Sequence, residues 1–152
     1  MTSTTTEIRM PGTPAPVMNA AMSAMLRMPG LRSVLGRGFA IITVTGARTG
    51  RRYSTPVQYL DVDGRYVVLS QTHRVWWRNL RTRPEVELLV CGTTVRGVAT
   101  VLEGADGREL LTTCLEQAPR VASFYGIEPP IETASVDRLL EHVVVIEIRP
   151  EP

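Results

Sequence analysis

Six short runs of β-branched, aromatic and aliphatic residues, broken by glycine-bearing turns, restrict this chain to a small antiparallel β architecture. Phe39 to Thr45 is the first, and Tyr53 to Leu60 follows it across a segment bracketed by Gly46 and Gly50. Asp63-Gly64, a strong hairpin signal, leads into the third run, Arg65 to Ser70. Glu85 to Cys91 and Thr94 to Glu103 pair around Gly92-Thr93, and Val143 to Ile148 is the last. Helical spacing occupies Trp76 to Arg83, Asp106 to Glu116, Pro119 to Tyr125 and Ser135 to about His142. The prediction is a mainly β fold with peripheral helices, a barrel rather than an open sheet.

The chain of 152 residues makes one domain, long enough to bury a core without disulfides. Its two cysteines, Cys91 and Cys114, lack the close Cys or His neighbours of a metal site and read as buried apolar residues of a reduced, cytoplasmic protein. No metal is expected. Residues 1–15, polar and rich in proline, are expected to form a disordered arm without the features of a signal peptide, leaving 16–152 as the domain. That domain opens with a helix from Pro16 to Met28, whose apolar face includes Met18, Met22 and Met25. Such a flexible face packs on the core, covers a ligand pocket or touches a membrane surface.

The net charge of +2 conceals an uneven distribution. From Val44 to Arg83 eight arginines face only Asp61 and Asp63, whereas from Pro84 onward five arginines face twelve acids. Every cation is an arginine, a planar fork suited to phosphate or carboxylate. The basic segment is centred on Gly46-Ala47-Arg48-Thr49-Gly50-Arg51-Arg52, at the tip between the first two strands. Glycines allow close backbone approach, and exposed N–H groups, a hydroxyl and guanidinium forks are the donors an anion needs. The segment is too short and too poor in aromatics to favour a single-stranded nucleic acid. A small anionic ligand is the expectation.

Thr45-Gly46-Ala47-Arg48-Thr49-Gly50, then Thr55-Pro56, then Trp76-Trp77-Arg78-Asn79-Leu80 occur in the order and spacing of a known pattern. The chain resembles the deazaflavin-dependent nitroreductases and quinone reductases of the split β-barrel superfamily, over about Leu31 to Pro150. The resemblance implies a split β-barrel and coenzyme F420, a deazaflavin with a phosphate and a polyglutamate tail. It places Arg48, Thr49 and the Gly50 backbone on the phosphate, with Arg51 and Arg52 adding charge near the phosphate or tail. It sets Thr55, Pro56 and Val57 along the ring through their backbone, Ser70 and Gln71 near its polar edge, and Trp76 and Trp77 as a wall of the pocket. Four departures are visible: Ala47 replaces the first basic residue of the tip, Tyr53 stands where many members carry a cation, the loop from Gln71 to Val75 is short, and the C-terminal tyrosine cluster is reduced to Phe124 and Tyr125.

The implied activity is hydride transfer from reduced F420 to an apolar small molecule: a quinone, a nitroaromatic or an activated alkene. The absence of a nucleophile, metal set or acid–base pair suits a reaction whose chemistry belongs to the cofactor. Tyr125 is the candidate proton donor, and Met18, Met22, Met25, Phe124 and Tyr125 are candidate substrate contacts. Alternatives are a barrel that binds F420 or an apolar ligand without turnover, and a reductase that uses FMN. Either a monomer or a homodimer is compatible with the sequence.

Overall fold

The computed structural model describes residues 38–152 and, ahead of them, Ala24, which lies in a helix. The N-terminal arm and the methionine face of Met18, Met22 and Met25 lie outside the described residues, and with them the lid and membrane contact expected of that face. Six strands form the core of the fold: β1 (Phe39–Thr45), β2 (Arg52–Val62), β3 (Arg65–Gln71), β4 (Glu85–Val90), β5 (Thr93–Leu102) and β6 (Val143–Pro150). They close into an antiparallel barrel in the order β1-β2-β3-β6-β5-β4, with β4 returning to β1. A 3₁₀ helix (Trp76–Arg81) links β3 to β4, and helices α1 (Gly104–Gln117), α2 (Pro119–Phe124) and α3 (Thr133–Leu140) lie between β5 and β6.

The period-2 alternation of the strands separates two apolar clusters. Inside the barrel are Ala40, Ile42 and Val44 of β1 with Val57, Val68, Val86, Leu88, Ala99, Ile146 and Ile148 from the other strands. The 3₁₀ helix stoppers one end by inserting Trp77 and Leu80 into this cluster. Outside, Val62, Val67, Val143 and Val145 meet Leu110, Leu111, Cys114 and Leu115 of α1, Ala122 of α2, and Val136 and Leu139 of α3. The alternation in β6 thus reads inward and outward at once, which is why its whole run from Val143 to Ile148 is apolar apart from Glu147. Glu147 is a buried carboxylate held by Arg65 at 2.6 Å and Arg149 at 2.8 Å, a pairing that ties β3 to β6.

Two hairpins turn on residue pairs in the left-handed region: Asp63 and Gly64 at φ 54° and 81°, and Cys91 and Gly92 at φ 48° and 80°. This is the geometry that matches strand twist in two-residue hairpins. The second turn falls one residue earlier than Gly92-Thr93, so Cys91 leaves β4 and is exposed, whereas Cys114 is buried. The expectation of burial for Cys91 is therefore corrected: the turn takes it out of the strand. The helical spacing at Trp76 gives a 3₁₀ helix that stops at Arg81.

One feature of the register shapes the site. β1 and β2 pair from Phe39↔Gln58 to Thr45↔Arg52, but β2 pairs with β3 only from Tyr59↔Val68 to Val62↔Arg65. Beyond Val68, β3 continues against β6 alone, through Gln71↔Val143. The barrel is split there, and among the described residues the edge of β2 from Arg52 to Gln58 that faces away from β1 has no strand partner. Pro56, which has no N–H to donate, fits such an edge.

Candidate functional site

The antiparallel order brings four segments to one rim of the barrel: the β1–β2 tip, the end of β3, the 3₁₀ helix, and the turn from β5 into α1. The tip is a short, internally bonded loop. Gly46 N–H donates to Arg51 O at 2.7 Å, Gly50 N–H to Gly46 O at 3.0 Å, and Arg51 N–H to Thr49 Oγ1 at 3.3 Å. Gly50 has φ 69°, in the left-handed region, where a side chain would be strained. Gly46 is required for space: a Cβ there would lie 2.9 Å from Tyr53 Cε2, 3.2 Å from Thr49 Oγ1 and 3.3 Å from Arg51 O. Among the described residues, the N–H groups of Arg48 and Thr49 donate to nothing, and the guanidinium groups of Arg48 and Arg51 have no carboxylate partner. Two free N–H donors beside two uncommitted cations, all exposed, make a receptor for an anion.

Arg52 differs from its neighbours. It begins β2, where alternation turns it to the outer face, and it pairs with Glu87 of β4 at 2.6 Å. Its charge is largely committed across β1. Thr55 and Val57 point toward the barrel interior, on the side of Ile42 and Ala40. Pro56 is buried on the opposite face. All three lie on the open edge of the split. Ser70 is buried and Gln71 half-buried at the facing end of β3, and Ser70 Oγ makes a long contact of 3.4 Å to Gln71 O.

Trp76 and Trp77 pack on the interior cluster from the rim. Arg78 and Arg81 flank the Trp77 ring, with guanidinium carbons 5.6 and 5.4 Å from its centroid, and Arg81 also pairs with Glu103. The indole N–H groups of both tryptophans are buried and have no hydrogen-bond partner among the described residues. Asn79, a motif residue without an assigned role in the sequence, accepts the Ala47 N–H at 3.0 Å and donates to Trp76 O at 3.0 Å. It ties the tip to the 3₁₀ helix. The signal that could have found it was the position of a lone amide on a helical turn otherwise made of Trp, Arg and Leu.

Tyr125 and Phe124 stand apart from the tip. Tyr125 belongs to the outer cluster under α2, edge-on to Phe124 at 5.3 Å, and Phe124 is exposed. Tyr125 lines an apolar cavity of about 150 Å³ with Phe39, Leu60, Val67, Leu69 and Val121, next to the point where β2 and β3 separate. Roughly 20 Å of β2 separates Arg52 from Gln58, at about 3.3 Å per residue. Burial raises the Tyr125 hydroxyl above its ordinary pKa, so at neutral pH it is a protonated donor. The rim therefore gathers Arg48, Thr49, Gly50, Arg51, Thr55, Ser70, Gln71, Trp76 and Trp77, while Phe124 and Tyr125 lie at the far end of the split.

A family model described as F420H(2)-dependent quinone reductase matches residues 23–127. Among curated proteins none matches the chain in sequence. Solved structures share the fold at low identity. An F420-H2-dependent reductase, FDR-A, is 22% identical over 73% of this chain and 94% of its own, with a TM-score of 0.52. A putative pyridoxamine 5'-phosphate oxidase from Listeria innocua is 14% identical over 80% of this chain and 90% of its own, with a TM-score of 0.54. The heme storage protein HutZ from Vibrio cholerae is 19% identical over 76% of this chain and 83% of its own, also at 0.54.

Proposed function

For a chain that belongs to the F420H(2)-dependent quinone reductase family, and so is an oxidoreductase using coenzyme F420, we propose that the tip receives the cofactor's phosphate and the split receives its ring. The observation that carries this is the uncommitted donor set at the tip: Arg48 and Thr49 N–H, with the Arg48 and Arg51 guanidinium groups. That set fits a phosphate, and the open edge of β2 fits a flat ring that takes hydrogen bonds from a backbone. When bound in its reduced form, F420 supplies the hydride.

The chain's own work is binding, orientation and water exclusion. Arg51 adds charge beside the phosphate or toward the acidic tail, whereas Arg52, paired with Glu87, contributes mainly to the sheet. Tyr59 N–H donates to Gly38 O, so by alternation the backbone groups of Thr55 and Val57 pair with β1, and those of Ser54, Pro56 and Gln58 face the split beside them, with Ser70 and Gln71 lining its opposite edge. Trp76 and Trp77 close the rim with apolar surface, which keeps water from the reacting atoms. The acceptor, a quinone, nitroaromatic or activated alkene, enters the apolar space near Tyr125, whose hydroxyl gives its proton to the acceptor's oxygen or, in an alkene, its carbon, and takes one back from water.

The contrast between neighbouring arginines tests the reading. Arg48→Ala removes a charge-assisted bond and weakens F420 binding by about 1.5–3 kcal/mol. Arg52→Ala removes an exposed ion pair, and because such pairs contribute about 0.2–1 kcal/mol, it leaves the dissociation constant within about fivefold. Equal effects of the two substitutions, or none from Arg48→Ala, would place the phosphate elsewhere.

A further inference from the structure

We infer that Asn79 is a positioning residue that holds the tip in its anion-binding shape, which rests on the tip being the phosphate site. The tip projects between β1 and β2, and its three internal bonds all run among Gly46, Thr49, Gly50 and Arg51. Among the described residues its bond to the rest of the rim runs through one side chain: Asn79 Oδ1 accepts the Ala47 N–H at 3.0 Å. The same amide donates from Nδ2 to Trp76 O at 3.0 Å, within the 3₁₀ helix that is anchored by Trp77 and Leu80 in the barrel core.

The two partners fix the amide's orientation, because one is a donor and the other an acceptor. An amide alone of the similar-sized side chains satisfies both. Aspartate accepts from Ala47 but has no proton for Trp76 O, and it adds a negative charge next to the anion's donors. Ala47 directly precedes Arg48 and Thr49, whose free N–H groups are the ones offered to the ligand. Fixing the Ala47 peptide therefore fixes the direction of the next two. Without that tie the tip must be ordered by the ligand itself, and affinity falls by the cost of ordering.

The test measures F420 binding by fluorescence for the full chain at low and high salt, alongside thermal stability, with Arg48→Ala as the reference. Asn79→Ala raises the dissociation constant about tenfold at both salt concentrations, since it removes order and not charge. Asn79→Asp raises it further at low salt and falls back to the alanine value at high salt, where the added charge is screened. Asn79→Ser, milder in the packing it removes, matches alanine and serves if the alanine variant does not fold. With a reductase assay, the Michaelis constant for F420 rises while turnover at saturation is kept. If the Asn79 variants lose stability but bind F420 as the parent does while Arg48→Ala weakens binding, Asn79 is only a brace of the fold and the inference is overturned. If Arg48→Ala is also without effect, the phosphate reading itself is wrong.

Discussion

A single methyl group at Gly46 is expected to damage ligand binding more than folding. The glycine's φ is not in the left-handed region, so alanine meets no backbone objection. Its cost is entirely in contacts. The nearest is the Tyr53 ring, 2.9 Å away, but Tyr53 is 46% exposed and can swing outward. The other two are Thr49 Oγ1 at 3.2 Å and Arg51 O at 3.3 Å, and these are two of the three acceptors that hold the tip together. The methyl pushes on both bonds. Overpacking in a closed core costs about 1–3 kcal/mol. An exposed loop relaxes, so the stability loss in Gly46→Ala is about 1 kcal/mol or less. Relaxation moves Arg48, Thr49 and Arg51 together, and affinity for F420 falls about tenfold, equivalent to about 1.4 kcal/mol. Titration of F420 against the variant reads the affinity, and thermal unfolding reads the stability. Tyr53→Ala in the same background separates the contacts, since recovery of affinity would assign the effect to the ring and not to the tip bonds. An unchanged dissociation constant with unchanged stability would refute the reasoning, because it would mean that the tip's internal bonds do not shape the ligand site.

Two further outcomes follow from buried titratable groups. Tyr125→Phe should leave F420 affinity unchanged, being far along β2 from the tip, and lower turnover of a quinone or nitro acceptor about a hundredfold; an unaltered turnover would assign the proton to water. Burial pushes the Cys114 thiol up to about 11 from its ordinary 9.0. The folded state therefore holds a proton that the unfolded chain releases first, so stability is full below pH 9 and falls between about pH 9 and 11 by up to about 1.4 kcal/mol per pH unit. Denaturant unfolding should show this slope in the parent and lose it between pH 9 and 10 in Cys114→Ala, whereas above pH 10 the Tyr59 and Tyr125 hydroxyls, also raised by burial, add a slope of the same sign; a parent with flat stability to pH 11 would contradict it.

The strands were legible because each alternates cleanly or is bounded by a glycine turn, and the tip because glycines, hydroxyl and arginines crowd into seven residues. The split was legible only through the family resemblance, and not from the strand pattern. Periodicity in Tyr53 to Leu60 says that a strand exists, but not that β3 abandons it after Val68 for β6, since Val67, Val68 and Leu69 suit either neighbour. The ion pair of Arg52 was not legible, because sequence shows charge and not the carboxylate opposite; Glu87 is brought to it by the pairing of β4 with β1. Cys91 read as buried because a one-residue shift of a turn exchanges strand for left-handed loop. Asn79 carried no visible role, because its two partners, Ala47 N–H and Trp76 O, are backbone groups that no sequence displays.

The central claim, that the tip and split form an F420 site in which the phosphate is held by Arg48 and its neighbours, is tested most directly by titrating the protein with F420 and with FMN at low and high salt. Both carry a phosphate, but only F420 adds an acidic tail for the uncommitted Arg51. The account predicts tighter binding of F420 than of FMN at low salt, a gap that narrows as salt rises, and loss of most F420 affinity in Arg48→Ala. Equal affinity for the two, independent of salt and of Arg48, would contradict it.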